Sequence, residues 1–191
     1  MNTQLKNNNN KRLGKEDWVL AAFTTLSESG VAAVRVVVLA KNMGVTKGSF
    51  YWHFENRQEL LDAILKKWRL EQRVIDRVEA IGGTPKTMLK NLLASVPRSV
   101  RRNKSGATEL AVRSWARNDE KAAEAVAMVD KERIIWTQQR LIDMGFSEDI
   151  AEMRAFTIYS YIMAQGVFST EKIPNILERI HDNAVEMFLQ K

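Results

Sequence analysis

Apolar residues recur at helical spacing along nearly all of this 191-residue chain. In the first such stripe, Val19, Ala22, Phe23 and Leu26 fall at positions i, i+3, i+4 and i+7, which places them on one face of an α-helix. Three prolines and nine glycines are few for this length, whereas sheet proteins need many turns. We find no internal repeat and no convincing strand, so the sequence predicts an all-α fold.

Capping residues and breakers mark where the predicted helices begin and end. The first helix begins at Lys15 and closes at Gly30. Residues 56–59 (NRQE) resemble a capping box and open a long helix to about Glu79. Thr84 and Pro85 suit the start of the next helix. Further apolar stripes predict helices over residues 88–93, 110–115, 122–144, 155–166 and 176–188.

Composition excludes several kinds of chemistry. The chain has no cysteine, which rules out a thiolate nucleophile, a redox centre and a Cys-based zinc site. Its two histidines, His53 and His181, are too few for a His-rich metal site. Ser49 and His53 could be drawn as a nucleophile and its base, but no carboxylate orients the histidine. We therefore expect no catalytic residue, no metal and no cofactor.

The sequence also predicts neither a membrane span nor a secretory signal. No window holds 18 consecutive apolar residues, and the most apolar stretch, residues 31–40, carries Arg35. The first 15 residues lack the apolar region of a secretory signal. Together with the lack of cysteine, this predicts a cytoplasmic protein without a membrane partner.

The positive charge is concentrated near the N-terminus. The net charge is +6, and residues 1–58 hold eight Lys and Arg against four Asp and Glu. This asymmetry indicates contact with a nucleic acid or an acidic membrane surface, although a solvated basic tail is the simpler alternative. Residues 1–13 include four consecutive asparagines and predict a flexible basic arm, which can follow a DNA minor groove or remain solvated.

Residues 39–50 have the apolar spacing of a helix-turn-helix. The preceding run of β-branched valines would pass as a strand, but Leu39, Val45 and Phe50 can close a small core between two helices. Gly44 supplies the positive φ that the turn requires. Thr46 then caps a second helix over residues 47–52.

The run GVTKGSFYWHF at residues 44–54, followed by Arg57 and the leucine pair at 60–61, resembles the TetR family of transcriptional regulators. The resemblance covers roughly residues 15–68, and a weaker one continues through Trp115, Arg133 and Tyr159. It implies a three-helix DNA-binding domain, here residues 14–58, and a C-terminal domain, residues 59–191, that dimerises and binds a small-molecule effector.

The second helix of the motif carries the candidate DNA contacts, because a helix end fits the major groove. Lys47 and Ser49 suit a base or a phosphate, and Tyr51, His53 and Arg57 suit phosphates. The full candidate set is Thr46, Lys47, Gly48, Ser49, Tyr51, Trp52, His53 and Arg57. Phe50 and Phe54 are expected in the core. The first helix offers Val37 and Val38, and a valine reads at most a thymine methyl, so we assign specificity to the second helix.

Bulky residues of the C-terminal part are candidates for lining an effector pocket. They are Trp68, Met88, Trp115, Trp136, Phe156 and Tyr159, and plain core packing is the alternative for each. Arg113, Gln138 and Gln139 are either polar anchors in that pocket or surface residues. The last two helices suit a four-helix dimer interface. Its candidate residues are Ala155, Ile158, Ile162, Gly166, Ile180, Ala184 and Phe188.

Together these features predict a dimeric repressor that binds a palindromic operator in double-stranded DNA and responds to an effector. A helical nucleoid protein that binds DNA without sequence choice is the main alternative, and its affinity would depend on salt alone. An all-α enzyme is a further alternative, but the chain lacks a phosphate loop, a dinucleotide fingerprint and an HExxH motif.

Overall fold

The computed structural model describes residues 13–102, 105–168 and 176–190, so the predicted arm lies outside the described residues except for Leu13. Within these ranges the chain forms ten α-helices, one 3₁₀ turn and no strand, which confirms the all-α prediction. The helices are α1 (Lys15–Ser29), α2 (Val36–Asn42), α3 (Lys47–Phe50), α4 (Arg57–Glu71), α5 (Val74–Ile81), α6 (Pro85–Arg102), α7 (Ser105–Ala116), α8 (Glu120–Asp143), α9 (Glu148–Val167) and α10 (Ile176–Leu189). The 3₁₀ turn covers Val31–Ala33.

Helix α1 begins and ends where its sequence signals predict. The Asp17 carboxylate accepts a 2.8 Å hydrogen bond from the Gly14 amide, which satisfies one donor of the open helix end. At the other end, Gly30 takes a φ of +75° and its amide donates to the Leu26 carbonyl.

Helices α2 and α3 meet through the predicted tight turn. The valine run is helical despite its β propensity, because Leu39 and Ala40 are buried against the core. Gly44 has a φ of +68°, and the Val45 amide donates to the Ala40 carbonyl at 2.9 Å. Helix α3 has only four residues, so the predicted helix over 47–52 is too long by two residues.

The predicted long helix over residues 56–79 is divided in two. Helix α4 ends at Glu71 and α5 begins at Val74, although neither glycine nor proline marks the break. The Gln72 amide there donates to both the Trp68 and Arg69 carbonyls, which is a tightened last turn. Gln72 therefore sits at a corner between two helices.

Only half of the predicted capping box forms at the start of α4. The Asn56 side chain accepts a 3.0 Å hydrogen bond from the Glu59 amide, as expected. The Glu59 carboxylate does not return to the Asn56 amide. It accepts instead from the Glu55 amide at 2.8 Å and from Lys15 at 2.7 Å. Glu59 thereby connects α4 to α1.

Two clusters of buried apolar side chains hold the helices together. The first joins the helix-turn-helix to α4, α7 and α8 through Trp18, Phe50, Trp68, Val112 and Trp115, among others. The second joins α6, α8, α9 and α10. The first cluster is continuous across residue 58, where the sequence places a domain boundary. The helix-turn-helix is thus packed directly on the C-terminal helices.

Trp18 is the central residue of the first cluster. Its ring is fully buried and meets the Phe50 ring edge-on at 5.3 Å. We expect Trp18→Ala to lower the free energy of unfolding by about 3–5 kcal/mol, because a large cavity replaces the ring. Urea denaturation measures this loss. The same substitution at Trp52, which is 84% exposed, is the matched control and should change stability by less than about 0.5 kcal/mol. Equal losses in the two variants would contradict the assignment.

Candidate nucleic-acid interface and internal cavity

The turn and short helix α3 divide their side chains between core and solvent. Phe50 and Phe54 are buried and their rings stack at 5.3 Å, which confirms the expectation that they belong to the core. The opposite side is open to solvent, with Tyr51 54% and Trp52 84% exposed. Thr46, Lys47 and Gly48 are exposed as well. One edge of the helix-turn-helix thus presents five of the eight predicted DNA-binding residues.

This edge is electropositive. Between Glu28 and Glu55 the chain has no acidic residue, and the basic side chains of Arg35, Lys41 and Lys47 are all exposed. A segment that carries exposed cations and no carboxylate favours a polyanion. On α2, Val37 is exposed and Val38 is half-buried, so α2 offers methyl groups in addition to the basic side chains.

His53 makes a hydrogen bond within the protein. Its Nε2 lies 3.1 Å from the Leu13 carbonyl oxygen. A carbonyl only accepts, so Nε2 donates this bond. The phosphate contact of His53 stays a prediction. His53 fixes the chain that enters α1.

Arg57 and Ser49 are also engaged within the protein. The Arg57 guanidinium donates from Nε to the Val34 carbonyl at 2.6 Å and from Nη2 to the Val31 carbonyl at 2.8 Å. These bonds tie the 3₁₀ turn to α4 and use two of the five guanidinium N–H groups of the exposed Arg57, so its phosphate contact stays a prediction. The Ser49 hydroxyl donates to the Thr46 carbonyl at 2.9 Å, which leaves its lone pairs as acceptors.

A cavity of about 180 Å³ lies in the C-terminal part of the chain. It is enclosed by the corner between α4 and α5 and by α6, α7, α8 and α9. Trp68 and Tyr159, two of the predicted pocket residues, line it. Ile162 and Gly166, which the sequence assigned to the dimer interface, line it as well. The wall also contains charged and polar residues that the sequence pattern did not indicate, namely Glu71, Gln72, Arg77, Ser95, Thr108, Glu109, Arg133 and Thr137.

Four of the six predicted pocket residues lie outside the wall of this cavity. Trp115 is buried in the first core cluster, and Met88 is half-buried outside the cavity wall. The Trp136 indole donates to Glu79 at 2.8 Å on the surface. Phe156 is 62% exposed. Bulk and helical spacing are shared by core, cavity and interface residues, which is why they cannot separate these roles.

Arg113 belongs to a partly buried ionic network beside the cavity. It donates to both oxygens of Asp130, at 2.9 and 2.6 Å, and to Glu109 at 2.8 Å. The Tyr159 hydroxyl donates to Asp130 at 2.5 Å. Arg113 is therefore a structural anchor behind the wall rather than a group that lines it. Of the other two candidate anchors, Gln139 donates to Asp143 on the surface and Gln138 is half-buried away from the wall.

The network fixes the protonation states of its members. Burial, reinforced by the Asp130 acceptor, raises the pKa of Tyr159 to about 12. Burial alone would raise the pKa of Asp130, but the hydrogen bonds from Arg113 and Tyr159 lower it below its ordinary value. At neutral pH the carboxylate is therefore charged and the tyrosine keeps its proton.

The predicted dimer-interface residues pack mostly within their own chain. Ala155, Ile158, Ala184 and Phe188 are buried in the second core cluster of the same chain. With Ile162 and Gly166 in the cavity wall, only Ile180 of the predicted set is exposed. The exposed apolar residues of α9 and α10 are instead Ile150, Met153, Phe156, Val167, Ile180 and Met187. Both faces of α9 are apolar, so its stripe did not reveal which face packs inward.

Neither a metal site nor a membrane span emerges from the described ranges. They contain no group of three or more His, Asp or Glu side chains placed to hold a metal ion. None of their helices is both long enough and apolar enough to cross a bilayer.

The tight turn, the short exposed helix and the supporting third helix define a helix-turn-helix protein. Residues 19–64 match the sequence model of the bacterial regulatory proteins of the tetR family. The chain is 30% identical over 115 residues to the class D tetracycline repressor of Escherichia coli, a match that covers 60% of this chain and 51% of that protein. It is 31% identical over 83 residues to the transcriptional regulator AcrR of Shigella flexneri, covering 41% and 37% of the two chains. The helix-turn-helix part of the chain therefore belongs to the tetR family of bacterial regulatory proteins.

The match to these curated relatives spans about half of their length or less. Solved structures resemble the chain over more of its length. A transcriptional regulator of Rhodococcus sp. Rha1 superposes with a TM-score of 0.75 at 22% identity, covering 93% of this chain and 97% of that one. AibR, solved in complex with isovaleryl coenzyme A and operator DNA, superposes with a TM-score of 0.72 at 17% identity, covering 92% and 98%. At such identities the likeness establishes the common fold.

The raised pKa of Tyr159 gives a spectroscopic prediction. Of the chain's three tyrosines, we expect one to ionise near pH 12 in the folded protein and near pH 10 after unfolding in urea. Because the folded state holds this proton more tightly, stability falls as the pH rises from about 10 to 12. Tyrosinate absorbance against pH measures the transition, and Tyr159→Phe should remove the highest one. If that variant loses a transition near pH 10 instead, the network does not protect the hydroxyl.

Proposed function

We propose that this protein is a sequence-specific repressor that binds a palindromic operator as a homodimer and is released by a small-molecule effector. The observation that carries the proposal is the exposed basic edge formed by Thr46, Lys47, Gly48, Tyr51 and Trp52 on a buried aromatic core. A rigid scaffold that presents small, basic and aromatic side chains on one helix edge suits the major groove.

Each candidate contact has a physical role in the proposed complex. Lys47 donates to a guanine edge or a phosphate, and the small Gly48 lets the helix approach the bases. The Tyr51 hydroxyl donates to a phosphate, while the Trp52 indole N–H reaches the backbone or its ring packs on a sugar. The Ser49 hydroxyl oxygen accepts a hydrogen bond from the DNA. Arg57 and His53 position this edge from behind through their bonds to carbonyls.

Dimerisation is proposed to use the exposed apolar face of α9 and α10. Met153 and Phe156 are one helical turn apart on α9, and Ile180 and Met187 are two turns apart on α10. Side chains of this size on one face mark an interaction surface. Two copies joined there would present two helix-turn-helix edges to successive major grooves of a palindrome.

Named relatives support regulation by a small molecule. Three of the matching relatives are tetracycline repressors, and AibR was solved with isovaleryl coenzyme A and operator DNA. The cavity beside Trp68 gives this chain a place for an effector. Binding to chromosomal DNA would place the protein in the cytoplasm.

Selection of genomic fragments by the purified protein tests the proposal. An enriched palindrome that binds far more tightly than random DNA at two salt concentrations is the expected result. The competing candidate is a nucleoid protein, favoured by the basic edge alone. Absence of enrichment, with binding that declines uniformly as salt rises, would favour that candidate.

Lys47→Ala should weaken operator binding by about 1–3 kcal/mol if Lys47 reads a base. The loss would then concentrate at one operator position, whereas a phosphate contact would weaken all sequences alike and reduce the salt slope by about one. Fluorescence anisotropy with operator variants at several salt concentrations separates these results. Lys131→Ala, an exposed lysine on α8, is the control and should bind normally. Unchanged binding by Lys47→Ala would remove Lys47 from the interface.

Phe156→Glu should convert the dimer to a monomer, because it places a charge in the centre of the apolar face. Analytical ultracentrifugation measures the change in mass, and operator affinity should fall with it. Leu20→Glu alters an equally exposed leucine on α1 and should leave the dimer intact. A Phe156→Glu protein that stays dimeric would exclude this face as the interface.

A further inference from the structure

The wall of the internal cavity contains an arginine whose hydrogen bonds are incomplete. Arg133 donates from Nη2 to the Gln72 side-chain oxygen. Its Nη1 lies at 3.4 Å from the Tyr159 hydroxyl and 3.9 Å from Glu109, both long for hydrogen bonds, and its Nε finds no acceptor among the described residues. Since the side chain is only 15% exposed, water compensates little of this deficit.

The neighbouring carboxylates are already committed to Arg113. Asp130 accepts hydrogen bonds from both terminal nitrogens of Arg113. Glu109 lies 2.7 Å from Arg113 but 3.9 Å from Arg133. The two arginines therefore differ in how completely their hydrogen bonds are satisfied. Arg113 has a closed set of partners behind the wall, whereas Arg133 faces the cavity with a neutral amide as its one short contact.

The remaining wall is largely apolar. Trp68, Ile75, Leu92, Ile162 and Met163 contribute hydrocarbon and aromatic surface around the Arg133 end. The cavity volume of about 180 Å³ is below the roughly 300–1,000 Å³ of sites that hold drug-sized ligands. A fitting ligand is thus short, with an apolar body and one group that accepts hydrogen bonds.

We infer that the cavity binds a small apolar carboxylate and that Arg133 receives its carboxylate group. A guanidinium donates to a carboxylate through two parallel N–H groups, which supplies the acceptors that Arg133 lacks. The ring of Trp68 and the aliphatic side chains enclose the apolar body. The inference rests on the proposed function in one respect, that this ligand is the effector of the regulator.

Binding at Arg133 also has a structural consequence. Gln72, its present acceptor, lies at the corner where α4 ends and α5 begins. A carboxylate is a stronger acceptor than the Gln72 amide, so the ligand takes Arg133 away from that corner. Helix α4, which carries Arg57 at its other end, is then freed from one of its attachments to α8.

Paired ligands test the inference on the unmodified protein. Hexanoate and benzoate are titrated by isothermal calorimetry against hexanamide and benzamide, which have the same shape without the charge. The carboxylates should bind at least about tenfold more tightly than their amides. Equal affinity within each pair, or no binding of either carboxylate, would overturn the inference.

Matched variants test whether Arg133 binds the carboxylate group of the ligand. Arg133→Lys keeps the charge and the fold but cannot form the two parallel bonds, so hexanoate affinity should fall at least about tenfold while circular dichroism stays unchanged. Arg140→Lys alters an arginine two turns further along α8, outside the cavity wall, and should bind hexanoate normally. Equal losses of hexanoate affinity in both variants, or a loss in neither, would exclude Arg133 as the residue that binds the carboxylate.

A DNA-binding assay separates the ligand class from the proposed regulation. If hexanoate binds through Arg133 but does not change operator occupancy, the ligand class stands and the release of the operator by this ligand is refuted. If neither carboxylate binds while the protein still selects a palindromic operator, the ligand class is overturned and the DNA-binding part of the proposal stands.

Discussion

The packing of Trp68 connects the two parts of the molecule. Its ring is fully buried in the apolar cluster that includes Trp18 and Phe50, yet it also lines the internal cavity. Close-packed interiors transmit displacements because they hold few voids. A group that enters the cavity and pushes on Trp68 therefore acts on the same core that supports the helix-turn-helix.

Helix α4 runs between the helix-turn-helix and the cavity. With 15 residues it spans about 22 Å, from Arg57 beneath the 3₁₀ turn to Glu71 near the cavity. Exposed ion pairs join it to its neighbours, Lys15 with Glu59 and Lys121 with Asp62, but solvent screens both pairs, so they contribute little to stability. The apolar contacts of Trp68 and the bonds of Arg57 thus determine the position of α4 more than its salt bridges do.

Local signals in the sequence predicted the helix-turn-helix well, and tertiary contacts limited the rest. The positive φ of Gly44, the Asn56 cap and the burial of Phe50 follow from residue types at fixed offsets. The break at Gln72 has no such signature in the local sequence, and the Gln72 side chain accepts a hydrogen bond from Arg133 of a distant helix. Likewise, the motif does not indicate the long-range bonds that Arg57 and His53 donate to the Val31, Val34 and Leu13 carbonyls. Most of the predicted pocket and interface residues lie elsewhere in the fold for a different reason, since apolar spacing indicates which faces are buried but not which element covers them.

The ionic network and the corner at Gln72 suggest why the two arginines are bonded so differently. Removing a partner from a buried ion pair leaves an uncompensated charge, so the Arg113–Asp130 pair is suited to a fixed structural role. A switch needs the opposite property, a contact that a ligand can replace at small cost. Ligands shift a two-state equilibrium only by their differential affinity for the two states, and about 1.4 kcal/mol of difference gives a tenfold shift. The bond between Arg133 and a neutral amide satisfies this requirement. It joins α8 to the corner between α4 and α5, and it can be exchanged for a stronger one without leaving Arg133 unpaired.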